Sequence, residues 1–302
     1  MENNTLFDVI IIGGSYAGLS AAMSLGRSLR KVLVIDSGQP CNKQTPHSHN
    51  FLTQDGVPPA EIASRAREQL AAYQTITFHH DNVIQAEQTP TGFILRTNAG
   101  KTFRGKKLIF ATGIKDLLPD IKGMAACWGI SVIHCPYCHG YEFREKRTGI
   151  LSNGNQAFHV TSLVHNLTDT LTILTSGKAT FSPEQSERLA RHAIAVVEKE
   201  VMDIIHENGH LREVVFADGE TLSLDCLYAA VPFQQQSDLP GQLGCSLTDK
   251  GYIAVNPMQQ TTVEGVYACG DNVSMMRSVA TAVASGNFTG AAVNMELTQE
   301  GF

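Results

Sequence analysis

Asp8 to Ile12 (D-V-I-I-I) runs into Gly13-Gly14-Ser15-Tyr16-Ala17-Gly18, and Leu19 to Leu29 continues with a helix-like pattern. A short β-branched run of this kind is a buried strand of a parallel sheet. Strand, glycine turn and helix in that order make the first third of a dinucleotide-binding unit. Gly13 permits the tight turn, and Gly18 lets helix and strand pack closely. Ser15 stands where a middle glycine is usual, which crowds a pyrophosphate but adds a hydrogen-bond donor. The second strand, Lys31 to Ile35, ends in Asp36, placed to accept hydrogen bonds from a ribose 2′-hydroxyl. An acid there disfavours a 2′-phosphate, so FAD or NAD fits better than NADP. A βαβ turn without a ligand is the alternative, and the complete order of elements weighs against it.

The second constraint is Cys135-Pro136-Tyr137-Cys138-His139. Two cysteines three apart at a turn close a small disulfide ring, whose N-terminal thiolate usually has the lower pKa. The adjacent histidine supplies an acid or base expected to titrate near neutrality. Together they equip the chain for thiol–disulfide exchange, with Cys135, Cys138 and His139 as catalytic candidates. A zinc half-site needs a second ligand pair, and none stands nearby. Haem attachment at C-x-x-C-H normally accompanies export, and Met1 to Phe7 is polar and leads straight into a strand, with no targeting segment. Two merely structural thiols are the remaining alternative.

Seven cysteines, widely scattered apart from this pair, suit a reducing compartment and a cytoplasmic address. The chain has 302 residues, enough for two ordinary domains, and is 43% hydrophobic. Its net charge of −6, with no basic run, argues against nucleic acid. No apolar run reaches membrane-spanning length, so no membrane association is expected. Cys226, Cys245 and Cys269 read as buried and inert, whereas Cys41 lies in a polar loop. That loop, Ser37 to Gly56, is long enough to be functional. Its histidines could ligate a metal, but a loop covering a cofactor is the plainer reading, and no metal site is expected. Glu61 to Tyr73 reads as an amphipathic helix, Ile76 to Thr97 as strands, and Leu108 to Ala111 as another buried strand.

Ala111-Thr112-Gly113 after that strand resembles the second FAD motif of the flavin disulfide reductases. Gly265-Val266-Tyr267-Ala268-Cys269-Gly270-Asp271 resembles their third. The redox cysteines follow the A-T-G rather than lying near the N-terminus, as in low-molecular-weight thioredoxin reductases. The resemblance covers Asp8 to about Asn294. It implies an α/β protein of two Rossmann-type domains, the second inserted in the first. Residues 1–114 and 242–302 would bind FAD, and 115–241 would form an NAD(P)-binding-like domain carrying the cysteines.

On this resemblance the FAD contacts are Gly13, Gly14, Ser15, Ala17, Gly18 and Asp36 from the first motif, with Ser37 and Asn50 from the loop. Ala111, Thr112 and Gly113 add the second motif, and Gly270, Asp271, Ser278 and Val279 the third. Arg277 to Ala292 reads as a helix whose N-terminus would lie by the isoalloxazine. Cys138 would face the flavin, and Cys135 would be the interchange thiol. The string from Cys135 to Glu142 is closer to the dithiol-oxidase branch, which closes disulfides in gliotoxin- and holomycin-type natural products. A homodimer is implied by the resemblance alone.

The middle domain departs from the pattern. Gly149-Ile150-Leu151 reads as a strand, but the turn after it is Ser152-Asn153-Gly154-Asn155-Gln156-Ala157, in which only Gly154 keeps a close backbone approach. The strand Leu171 to Leu174 ends in Thr175-Ser176-Gly177-Lys178. Thioredoxin reductases carry a His-Arg-Arg cluster there for the 2′-phosphate, and guanidiniums suit that role best. NADPH recognition is therefore expected to be impaired or lost, and no acid holds the ribose of NADH. Glu184 to Glu200 reads as a helix, and Val214 to Leu227 as strands about Asp218-Gly219. The expected activity is FAD-dependent thiol–disulfide exchange on a small dithiol or disulfide, or on a thioredoxin-like protein. The rivals are an NAD(P)H-dependent thioredoxin reductase and a flavin-bound redox sensor without turnover.

Overall fold

A computed structural model describes residues 5–302; residues 1–4, the start of the polar N-terminal segment, lie outside the described residues. The chain opens with β1 (Leu6–Ile12), α1 (Tyr16–Arg27), β2 (Val32–Asp36), α2 (Pro59–Leu70), β3 (Ile76–His80), β4 (Val83–Thr89), β5 (Gly92–Thr97), β6 (Thr102–Phe110) and β7 (Ile114–Asp116). It continues through α3 (Met124–Cys127), β8 (Val132–Ile133), α4 (Pro136–His139), β9 (Thr148–Leu151), α5 (Gly154–Val164), β10 (Leu171–Leu174), α6 (Pro183–Arg191) and β11 (Ala195–Val197). Then come β12 (Val201–Glu207), β13 (His210–Phe216), β14 (Thr221–Ser223), β15 (Cys226–Ala229), β16 (Phe233–Gln235), α7 (Leu239–Gln242), β17 (Val266–Ala268) and α8 (Val279–Gly301).

These elements form two compact units. One holds the chain up to Lys43, Asn50–Lys115 and Phe233–Phe302, and the other holds Gln44–His49 and Asp116–Pro232. The chain re-enters the first unit at Phe233 rather than at 242. The reason is tertiary: β16 already pairs with β7, and the Gln235 amide donates to the Gly251 and Asn272 carbonyls at 2.8 and 3.1 Å. The expectation also gave Gln44–His49 to the first domain, whereas this segment packs with the second unit. There the Gln44 amide donates to the carbonyls of Ala125 and Ala126, each at 3.0 Å.

In the first unit a seven-stranded sheet runs β3-β2-β1-β6-β5-β4, with β17 also on β6. Ile12 stands opposite both Ile35 and Phe110, and Phe110 opposite Ala268, all in parallel register. Gly13, Ala111 and Cys269, which follow these strands, and Asp36, the last residue of β2, therefore come out along one carboxyl-terminal edge. Val9, Ile10 and Ile11 are fully buried, as a parallel strand covered on both faces requires. Small residues bring α8 onto α1: a Cβ on Gly286 would lie 2.1 Å from the Ala17 carbonyl oxygen.

The second unit carries a five-stranded parallel sheet, β11-β10-β9-β15-β8, and a three-stranded antiparallel sheet, β12-β13-β14. The helix expected over Glu184 to Glu200 ends at Arg191. Ser182 starts it with a capping box to Gln185. Ala193 takes a φ of 53°, and Val196 and Val197 then pair with Ile173 and Leu174. The β-branched residues go to the sheet edge instead of prolonging the helix.

A charged network ties the end of α8 to β6. Lys107, 7% exposed, pairs with Glu296 and Glu300. Glu296 also accepts from Tyr267 and from the Gln260 amide. Burial opposes the Glu296 charge, but bonds from Lys107 and Tyr267 outweigh it, and its pKa falls. Burial likewise opposes the Lys107 charge, and the two carboxylates outweigh it, raising its pKa. The Glu296 contribution is complete above its unfolded value of ~4.3 and is lost as pH falls through the folded one. That of Lys107 is complete below ~10.4 and lost as pH rises through its folded value. Lys107→Met is expected to cost about 3 kcal/mol at neutral pH in guanidinium unfolding, with the penalty shrinking as Glu296 is protonated in acid.

Candidate active site

The carboxyl-terminal edge of the first sheet is held by contacts too close for side chains. Gly13 has a φ of +106°, and a Cβ there would lie 2.2 Å from the Ala111 carbonyl oxygen and 3.2 Å from the Thr112 nitrogen. A Cβ on Gly14 would strike Asp36 at 2.8 Å, and one on Gly270 would strike Ala17 at 2.9 Å. The three glycine-bearing motifs thus meet. Ser15 is the N-cap of α1 and makes no side-chain cap bond. The first turn is therefore a natural anion seat. Gly18 lies so close to the Gly13 carbonyl that a Cβ would approach it to 1.8 Å.

Asp36 Oδ1 accepts from the Gly14 N–H at 3.1 Å. Its Oδ2 accepts from Arg67 at 2.9 Å, and Arg67 also donates to the Gly14 carbonyl at 3.0 Å. A carboxylate retains further lone pairs for a ribose hydroxyl. Asp271 pairs with Arg277, Nε to Oδ2 at 3.8 Å. Asn272, fully buried, donates to the Phe110 carbonyl at 2.9 Å and to Thr112 Oγ1 at 3.4 Å, locking the third motif to the second. Gly270 donates to Ser285 Oγ at 3.0 Å. Ser278 caps α8 by accepting from the Thr281 N–H at 3.1 Å, and Val279 opens that helix. Gly113 has a φ of +68°. Ser37 is exposed beside Asp36, and the Asn50 N–H is turned to Asp55 at 2.8 Å. Arg67 and Asn272 carry no signal in the sequence, since each is recognised only by what it reaches.

In the second unit Cys135 and Cys138 are joined by a disulfide, with Cα atoms 5.3 Å apart. They stand on the single turn α4, just beyond the carboxyl end of β8. The Cys138 N–H donates to Cys135 Sγ at 3.1 Å, a bond that favours a thiolate on Cys135 when the disulfide opens. Tyr137 is 64% exposed beside it, and Trp128 stacks on His134 with centroids 5.9 Å apart. His139 does not titrate near neutrality as its residue type suggests. Burial first, and the neighbouring His49 second, push its pKa down to about 4. The imidazole is thus a neutral acceptor across the physiological range. The other buried thiols are inert: burial raises Cys127, Cys226 and Cys245, and pushes Cys269 up to about 12.

The second glycine turn is filled by the protein itself. Asn153 Oδ1 accepts from the Gly154 N–H at 2.8 Å, the Thr180 N–H at 2.9 Å and the Thr180 hydroxyl at 3.2 Å. Its amide donates to the Lys178 carbonyl at 2.9 Å. Across the turn, Gln185 donates to Asn155 at 2.8 Å.

The sequence pattern of the pyridine nucleotide-disulphide oxidoreductases matches residues 7–286. Thioredoxin reductase tcpT of Claviceps purpurea is 32% identical, covering 98% of this chain and 96% of that protein. Thioredoxin reductase aclD of Aspergillus oryzae is 31% identical, with coverages of 97% and 96%. Among solved structures, an oxidoreductase from Agrobacterium tumefaciens superposes with a TM-score of 0.92 at 36% identity, covering 98% and 99% of the two chains. HlmI superposes with a TM-score of 0.92 at 28% identity, covering 99% and 95%.

The depressed pKa of His139 has a consequence for stability. The unfolded chain takes up the proton near pH 6.5 and the folded one only near 4, so acid drives unfolding across that interval. His139→Gln is expected to lose less stability than the wild type between about pH 6.5 and 4, by roughly 2–3 kcal/mol. Denaturant titrations at the two ends of the interval measure the difference.

Proposed function

We propose the function of this chain from its membership: it belongs to the pyridine nucleotide-disulphide oxidoreductase family, and it is a thioredoxin reductase-like flavoprotein disulfide oxidoreductase. Membership implies FAD, and the first edge fits that group. The anion seat at Ser15, the glycine cradle against Asp36 and Ala111, and the carboxylates of Asp36 and Asp271 are the residues that would hold it. When bound, FAD supplies two-electron redox chemistry for exchange with the cysteine pair.

The finer reading is a dithiol oxidase rather than a nicotinamide-driven reductase, akin to the enzymes that close disulfides in gliotoxin- and holomycin-type products. The observation that carries it is the filled turn of the second unit. Asn153 Oδ1 takes the Gly154 N–H that a pyrophosphate would need at the start of α5, and the residues after β10, Thr175 to Lys178, include neither an arginine nor an acid. Electrons then enter from a substrate dithiol. Its thiolate attacks Cys135 Sγ, the Cys135–Cys138 bond breaks, and Cys138 leaves as a thiolate. The second substrate thiolate attacks the mixed disulfide, releasing the oxidised substrate and the Cys135 thiolate. His139, a neutral acceptor, takes up protons from the incoming thiols. Molecular oxygen is the terminal acceptor, so one dithiol and one oxygen give one disulfide and one hydrogen peroxide. Five cysteines outside the pair form no disulfide, which suits a reducing, cytoplasmic setting, and a homodimer is the assembly the resemblance implies. The names of the curated relatives favour a second reading, an NAD(P)H-dependent thioredoxin reductase.

Anaerobic stopped-flow absorbance separates the two. Dithiothreitol is expected to bleach the flavin and NADPH or NADH to leave it oxidised; rapid bleaching by either nucleotide restores the reductase. Cys138→Ser removes the disulfide that the substrate thiolate attacks, so Cys135 is expected to stay a free thiol, counted by iodoacetamide labelling and intact mass, and turnover with a dithiol to fall by at least about 10³-fold.

A further inference from the structure

We infer that His49 is a positioning residue that relays protons between His139 and solvent. The inference rests on the dithiol-exchange reading above. His49 belongs to the segment Gln44–His49, which packs with the second unit although the chain on both sides belongs to the first. Gln44 fastens the segment to α3 through two carbonyls. Thr45 backs Gly129, where a Cβ would lie 2.9 Å from Thr45 Oγ1, and Ser48 is buried. A polar loop held this firmly presents one side chain to the redox turn.

His139, His47 and Glu142 stand around His49. The His139 ring stands edge-on with centroids 6.5 Å apart, His47 lies 6.4 Å away at the start of the same strap, and Glu142, in the turn after α4, approaches Nδ1 to 3.5 Å. His49 is 19% exposed and Glu142 36% exposed, whereas His47 is exposed. The order from disulfide to solvent is thus His139, His49, Glu142.

The exchange must dispose of two protons for each dithiol oxidised, while the electron pair stays on Cys135 and Cys138. With the disulfide closed, His139 resists a charge because it is half-buried and because His49 stands beside it. When Cys138 leaves as a thiolate, the new negative charge one residue away favours an imidazolium at His139. Repulsion from the neighbouring His49 ring keeps His139 from retaining that proton. Transfer to His49 places that proton beside the Glu142 carboxylate and within reach of water. His139 returns to its neutral form for the second substrate thiol.

The test uses FAD-loaded full-length protein with dithiothreitol as the probe. Rapid quenching into iodoacetamide and intact mass count the Cys135 and Cys138 thiols as they form, over a range of pH. His49→Ala is expected to slow their formation about tenfold at neutral pH, to displace the acid limb of the profile, and to be rescued by added imidazole. Glu142→Gln is expected to change the profile in the same direction by less. The relay is overturned by a His49→Ala profile identical to the wild type. It is equally overturned by a slower reaction with an unmoved profile and no response to imidazole, the pattern of a strap that only packs. His49→Gln, which keeps a polar side chain of similar reach, repeats the measurement should His49→Ala fail to fold. Oxygen consumption with the same dithiol is followed in parallel. Reduction of the wild-type disulfide without oxygen uptake removes the oxidase reading and leaves the relay standing; a wild-type disulfide inert to dithiothreitol removes both.

Discussion

Gly13 sits where the Ala111 carbonyl oxygen occupies the space of a side chain, and that near-contact sets the spacing of everything at the first sheet's edge. Because β1, β6 and β17 are in parallel register through Ile12, Phe110 and Ala268, their ends cannot move independently. Gly13 is pressed against the second motif, Gly14 against Asp36, and Gly270 against Ala17. Asn272 then ties the third motif to Phe110 and Thr112. Elsewhere on this unit, Gly286 against Ala17 and the Lys107–Glu296 pair fix α8 at its two ends. A site for a long, thin ligand is rigid when its three walls share one set of strands.

The second unit repeats the architecture with a different turn. Its sheet order again puts a glycine turn at the carboxyl ends of parallel strands, the usual place for a ligand in such folds. Here the turn binds its own chain. Asn153 acts at once as cap and as plug, satisfying Gly154, Thr180 and Lys178. These bonds stabilise the turn from within the unit. The chemistry of the unit is carried instead by the turn after β8. There one N–H from Cys138 steadies Cys135, and burial keeps His139 free to accept a proton. With that pKa His139 is neutral but weakly basic until a thiolate on Cys138 beside it favours the imidazolium.

While the other two motifs and the inserted second unit came from the family resemblance, sequence order alone determined the buried strands, the first glycine turn and the redox pair. Each of these is local: β-branched runs, turn residues and a three-residue cysteine spacing are written in adjacent positions. The helix expected to Glu200 failed because the pull of the sheet on Val196 and Val197 is tertiary, and the re-entry at Phe233 was hidden for the same reason. Arg67 against Asp36, Asn272 against Thr112, Thr180 against Asn153 and His49 against His139 join residues far apart in the chain, with nothing in their own neighbourhoods to mark them. Even the lowered pKa of His139 depends on burial and on a charge from a distant segment. What the chain could become was settled by local patterns, and which side chains act together was decided only when folding brought those segments within a few ångströms.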